Sequence, residues 1–133
     1  MQTYSVTGRG VEIAVLDSGI DTDHVDLQAV LATQKCFADD CPNGPNGAED
    51  DWGHGTHISG IIASQGNTAP EGGSPGVTIH AVKVLDSSGS YSTSSVVIAG
   101  LDYVLNELPN VDIVNMSLGS NALFSSDCDT TYT

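Results

Sequence analysis

Three short segments of the chain are almost continuously apolar and rich in β-branched residues: 11–16 (V-E-I-A-V-L), 78–85 (T-I-H-A-V-K-V-L) and 111–116 (V-D-I-V-N-M). Runs of this kind suit strands covered on both faces of a parallel sheet, where no face is left for an alternating polar row. Between them, apolar residues recur at helical spacing. Residues 56–64 predict one helix, starting near Gly55 or Thr56. Residues 94–108 predict a stronger one, with Val97, Ile98, Leu101, Val104, Leu105 and Leu108 on one stripe ahead of Pro109. Strand alternating with helix gives an α/β domain whose parallel strands are joined by right-handed crossovers. Two stretches, 39–52 and 66–76, are dense in Gly, Pro, Asn and Asp and are expected to be surface loops.

Composition narrows the class. A chain of 133 residues with 39% hydrophobic residues is long enough for one domain with a moderate core. Its longest apolar runs fall far short of the ~18 residues of a membrane span, and Met1-Gln2-Thr3-Tyr4-Ser5 lacks the charged start and apolar core of a secretion signal. Seventeen acidic residues face only Arg9, Lys35 and Lys83, a formal net charge of -14. That field repels nucleic acid and anionic membrane, so neither is expected as a partner. The ordinary reading of the acidity is a solvated surface; the sharper one is cation binding by clustered carboxylates. Cys36 and Cys41 flank four residues in a turn-rich segment and are expected to form a local disulfide, leaving Cys128 as a free thiol or the partner of another segment. No Cys-x-x-Cys pair points to zinc.

The candidate chemistry starts where the first strand ends, at Asp17, and where G-H-G-T-H at 53–57 announces the first helix. In an open parallel sheet, ligands gather beyond the carboxyl ends of the strands, and both Asp17 and Ser117 fall there. His54, opening a helix after a long loop, can return to the same edge. The bland alternatives are an Asx turn for Asp17 and a cap or loop role for His54. His54 and His57 also have the spacing of a metal pair, but no acidic residue completes a zincin-like pattern. His57 is expected to pack behind the site, and His24 and His80 carry no motif of their own.

Four segments together say more than any one. D-S-G-I-D at 17–21, H-G-T-H-I-S-G at 54–60, A-V-K-V-L at 81–85 and N-M-S-L-G at 115–119 resemble, in order and separation, segments of the subtilisin-like serine peptidases. The resemblance spans most of the chain. It implies that residues 1–133 are the N-terminal portion, or front half, of a subtilisin-like α/β catalytic domain with a parallel sheet and flanking helices. It also implies an Asp-His-Ser triad cleaving polypeptides, with Asp17 and His54 as its first two members. The family's G-T-S-M-A segment with the nucleophile, and its oxyanion Asn, do not occur in this sequence. The chain alone is therefore expected to be inactive, with the remaining C-terminal half of the domain as its partner and with the third strand's edge uncovered.

Further assignments follow from the resemblance. Ser117, Leu118 and Gly119 match the segment beside the primary specificity pocket, which binds substrate as an added strand, and Ser88, Gly89 and Ser90 match the opposing one. Calcium is the implied cofactor. Asp26 matches a carboxylate of a structural calcium site, and Asp39, Asp40, Glu49, Asp50 and Asp51 form a second oxygen-rich group. Secretion is implied too, and with it an oxidising compartment. Two other readings stand beside the endopeptidase: a non-catalytic binding or regulatory module derived from a peptidase half, and a different hydrolase on an α/β sheet.

Overall fold

The computed structural model of the protein describes residues 6–119. Its layout starts from β1 (Glu12–Asp17), in which every residue after Glu12 is buried. Ile13 and Val15 join Ile20, Leu27, Ala63, Ile79 and Ala81 on one face of the sheet, and Ala14 and Leu16 join Val82, Val84, Leu85 and Val104 on the other. A strand with two covered faces must be apolar in both registers, which is why this segment reads as a run. Helix α1 (His54–Ala63) brings Ile58, Ile62 and Ala63 to the first cluster, and α2 (Ser94–Glu107) brings Val97, Leu101 and Val104 to the second. The helices thus cover opposite faces.

The other strands are β2 (Leu31–Cys36), β3 (Thr78–Lys83) and β4 (Ile113–Asn115), all parallel, in the order β2-β3-β1-β4. The β1–β3 register runs from Glu12↔Thr78 to Asp17↔Lys83, which sets Lys83 beside Asp17. Beyond the strand, the N–H groups of Val84 and Leu85 both donate to the Asp17 carbonyl, at 2.8 and 3.2 Å, pinning the end of β1.

The α/β reading matches this architecture, with three differences. Strand β2 was not anticipated, because L-A-T-Q-K-C is neither an apolar run nor an apolar alternation and only Cys36 is buried in it. As an edge strand, it spends its polar side chains on neighbours instead: Thr33 Oγ1 lies 2.8 Å from His80 Nδ1, and Gln34 Oε1 accepts from the Ala48 N–H. The segment 39–52 is not wholly superficial. Ala48 is fully buried, Ile20 N–H donates to its carbonyl, and Ile20 and Glu49 form a short parallel bridge. The third strand expected from the sequence is also shorter than 111–116. Cys36 and Cys41 are joined by a disulfide, while Cys128 lies outside the described residues. No helix among the described residues is long and apolar enough to cross a membrane. Among the described strands β4 forms one edge of the sheet, with Ile113, Val114 and Met116 each more than two-fifths exposed.

The two-faced burial of β1 predicts a contrast in stability. Leu16→Ala, at a fully buried position, should cost about 2–5 kcal/mol, whereas Leu105→Ala, at a 77% exposed position of α2, should stay within about 0.5 kcal/mol. Urea unfolding of the two variants measures the difference, and equal losses would contradict the packing described here.

Candidate active site

Asp17 ends β1 with its carboxylate wholly buried. One oxygen, Oδ1, accepts from the Ser18 N–H at 2.7 Å and lies 2.7 Å from Nδ1 of His54. The other, Oδ2, is buried and has no hydrogen-bond partner among the described residues. A buried acceptor at Nδ1 places the ring proton there and leaves the lone pair on Nε2. The His54 side chain is 33% exposed, so the imidazole joins a dry carboxylate to solvent.

The first turn of α1 holds that ring in place. Helix N-termini leave backbone N–H groups without partners, and here two side chains from elsewhere supply them. Ser18 Oγ accepts from Gly55 N–H at 2.9 Å, and Asp50 accepts from Gly53 N–H at 2.8 Å, Thr56 N–H at 2.9 Å and Thr56 Oγ1 at 2.5 Å. Ser18 Oγ in turn donates to Asp50, tying the two together. Burial alone would raise the Asp50 carboxyl, but the donors from Thr56, Gly53 and Ser18 outweigh it and hold the group down to about 2. The turn also sits against β1 with no room for a side chain: a Cβ on Gly55 would lie 2.1 Å from the Gly19 carbonyl oxygen.

Trp52 lies beside the ring. Its indole centroid lies 5.1 Å from that of His54, with the planes tilted by 33°. The indole also packs on Gly89, where φ is +73° and any Cβ would overlap the ring system at 2.5 Å. Ser88, Gly89 and Ser90 form a tight loop around Asp86, whose Oδ1 accepts from Ser88 Oγ at 2.7 Å and from the N–H groups of Ser88 and Ser90. Asp86 is accordingly held below the usual carboxylate range, foremost by the Ser88 hydroxyl. Ser117 is exposed beyond β4, and Leu118 and Gly119 line a cavity of about 320 Å³ with Tyr91, Ser94, Val97, Ile98 and Met116. Ser88, Gly89 and Ser90 are not among the residues lining this cavity; through Gly89 they meet Trp52, which neighbours the His54 ring. A larger cavity, about 500 Å³, lies along α1 and includes His24, Asp26, His57 and Glu71 but neither Asp17 nor His54. His57, expected behind the site, is instead exposed there.

Most of the carboxylates assigned to calcium are engaged by donors of this chain. Asp26 is buried and saturated: Asn67 N–H donates to Oδ1, and Thr68 N–H, Thr68 Oγ1 and Ala69 N–H donate to Oδ2. The Thr68 hydroxyl leads in holding its carboxyl well below the usual range. Asp40 accepts from Ser87 N–H, Asp50 caps α1, Asp51 pairs with Lys83, Glu49 accepts from Thr22 and Asp39 is exposed. Among the described residues, no group of three or more His, Cys, Asp or Glu side chains is arranged to hold a metal. Asp39 apart, these carboxylates each have a separate partner within the chain.

Two residues of the site escaped the sequence reading. Trp52 carries no motif, and its only signal is its place two positions before His54. Lys83 stood in an apolar strand pattern, where a charge must find a buried partner; that was the available clue.

Comparison with known proteins bears on the family and the fold. The model of the subtilase family matches residues 8–132. An extracellular serine proteinase of Thermus sp. (strain Rt41A) is 42% identical over 125 residues, which is 94% of this chain and 28% of that protein. An intracellular serine protease of Paenibacillus polymyxa is 41% identical over 113 residues, 84% of this chain and 34% of that protein. The crystal structure of a cold-adapted subtilisin-like serine proteinase superposes with a TM-score of 0.73 at 31% identity, covering 91% of this chain and 41% of that one. The chain thus spans about a third or less of the length of these two relatives.

Two measurements test the site as built. A carboxyl with a lowered folded-state pKa stabilises the fold above its unfolded value and loses that contribution as pH falls through the folded one. For Asp50, lowered from 3.8 to about 2, the loss should fall between those values. Urea midpoints of the protein should drop more steeply across that window than those of Asp50→Asn; identical slopes would remove Asp50 as the clamp of α1. Trp52 is the only tryptophan in the chain, so its emission reports on the ring beside it: His54→Ala should shift that emission at neutral pH, and an unchanged spectrum would contradict the 5.1 Å approach of the two rings.

Proposed function

The chain belongs to the subtilase family, and on that premise we propose that the complete protein is a serine endopeptidase that hydrolyses polypeptides through an Asp-His-Ser triad. The observation that carries the reading is the 2.7 Å contact between a fully buried carboxylate and the Nδ1 of a partly exposed imidazole. His54 takes the proton of a serine hydroxyl at Nε2 as that oxygen attacks the scissile carbonyl, then returns it to the leaving amine. Asp17 fixes the tautomer and stabilises the imidazolium formed in between, from a site dry enough to strengthen the interaction.

The serine and the Asn that completes the oxyanion hole are supplied by a C-terminal half of the catalytic domain outside residues 1–133, which in this reading also covers the apolar edge at β4. Substrate lies as an added strand between Ser117, Leu118 and Gly119 on one side and Ser88, Gly89 and Ser90 on the other, where backbone groups bind it whatever its sequence. The Cys36–Cys41 disulfide supports work outside the cell.

A serine-directed fluorophosphonate should label the complete protein at a serine outside residues 1–133. A folded, full-length protein that stays unlabelled would support the non-catalytic module instead. In the same protein, His54→Ala should lower kcat by roughly 10⁴-fold or more with the fold retained. Undiminished turnover would take His54 out of the mechanism.

A further inference from the structure

Lys83 is one of three cationic side chains in a chain of formal net charge -14, yet its side chain is completely buried. An ammonium group is strongly hydrated, and taking it out of water is costly unless close partners replace that water. Its partners are specific. Nζ donates to the carbonyl oxygen of Ser18 at 2.9 Å and to Asp51 Oδ1 at 2.6 Å. Ser18 follows Asp17, and Asp51 lies three positions before His54. Lys83 itself closes β3 in register with Asp17, and its own carbonyl accepts from Phe37 N–H at 2.8 Å, so the stem of the side chain starts from a fixed point.

The segment between Asp51 and His54 needs such an anchor. Asp51, Trp52 and Gly53 are exposed, and Gly53 enters α1 at φ +98°, a conformation that carries little steric resistance to movement in glycine. Asp50 clamps the segment from the helix side. On the sheet side, the Asp51 carboxylate reaches Lys83. We propose that Lys83 is a positioning residue of the active site: through Ser18 and Asp51 it fixes the separation of the Asp17 carboxylate and the His54 ring. The proposal rests on the endopeptidase reading only for its catalytic consequence; the positional claim concerns this chain alone.

The test uses the full-length protein with Lys83→Met, Asp51→Ala and the double variant. It reads kcat and KM on a peptide substrate, together with the low-field proton resonance of the His54 Nδ1–H bonded to Asp17. Each single variant should lower kcat by roughly 10- to 100-fold, leave KM within about twofold, and shift or broaden the resonance. The double variant should be no worse than Lys83→Met, because Asp51→Ala removes a contact that Lys83→Met has already broken. Asp51 is at the surface, so Asp51→Ala decides the matter even if Lys83→Met fails to fold. Native kcat and an unmoved resonance in Asp51→Ala, or losses that multiply in the double variant, overturn the proposal. A wild-type protein without peptidase activity would end the endopeptidase reading, and the resonance would still decide the positioning claim.

Discussion

The structure depends on how closely the first turn of α1 seats against the end of β1. Gly55 approaches the Gly19 carbonyl where no Cβ fits, Ser18 and Asp50 fill the helix's open N–H positions, and Val84 and Leu85 hold the Asp17 carbonyl from β3. These contacts converge on one dimension, the gap between an aspartate at the end of a strand and a histidine at the start of a helix. Catalytic constellations must be held to within about 0.5 Å, and sites built on loops hold such gaps less precisely than sites on helices and strands. Here a sheet strand, a helix turn and a buried cation share that task.

The same contacts change the meaning of the acidity. An excess of carboxylates suggests repulsion or metal binding, but Asp26, Asp50 and Asp86 each draw in backbone N–H groups and hydroxyls, and each is held below the ordinary carboxylate range by them. A carboxylate accepting several such bonds organises a loop much as a cation would organise several carboxylates, with the signs reversed. Asp26 gathers residues 67–69, Asp86 gathers 88–90, and Asp50 gathers the start of α1. Part of the net charge is therefore internal scaffolding.

Much of this was legible in the sequence because it was written in strong patterns. Strands β1 and β3 are buried on both faces and read as apolar runs; α2 announces itself by its stripe; Asp17 and His54 stand in motifs with fixed order. What escaped lacked a pattern of its own. Strand β2 is a polar edge whose side chains are satisfied by residues distant in sequence, such as His80 and Ala48. Trp52 and Lys83 matter through their neighbours in space, and no spacing along the chain encodes the meeting of an indole with Gly89 or of an ammonium with Asp51. Around Asp50 the sequence shows acidic density without showing which donors it meets, so the hydrogen bonds of those carboxylates could not be read from it.

The strand order carries a last implication, for how the chain acquires its shape. β1 is made first, yet it lies between β3 and β4, whose pairing residues begin at Thr78 and Ile113. β2 likewise has no neighbour until β3 exists. Among the described strands β1 and β2 do not pair with each other, so β1 finds its partners only after residues 78–83 and 113–115 have emerged. Contacts this distant are slow to form, and a nascent chain of this kind is exposed to self-association for as long as it waits.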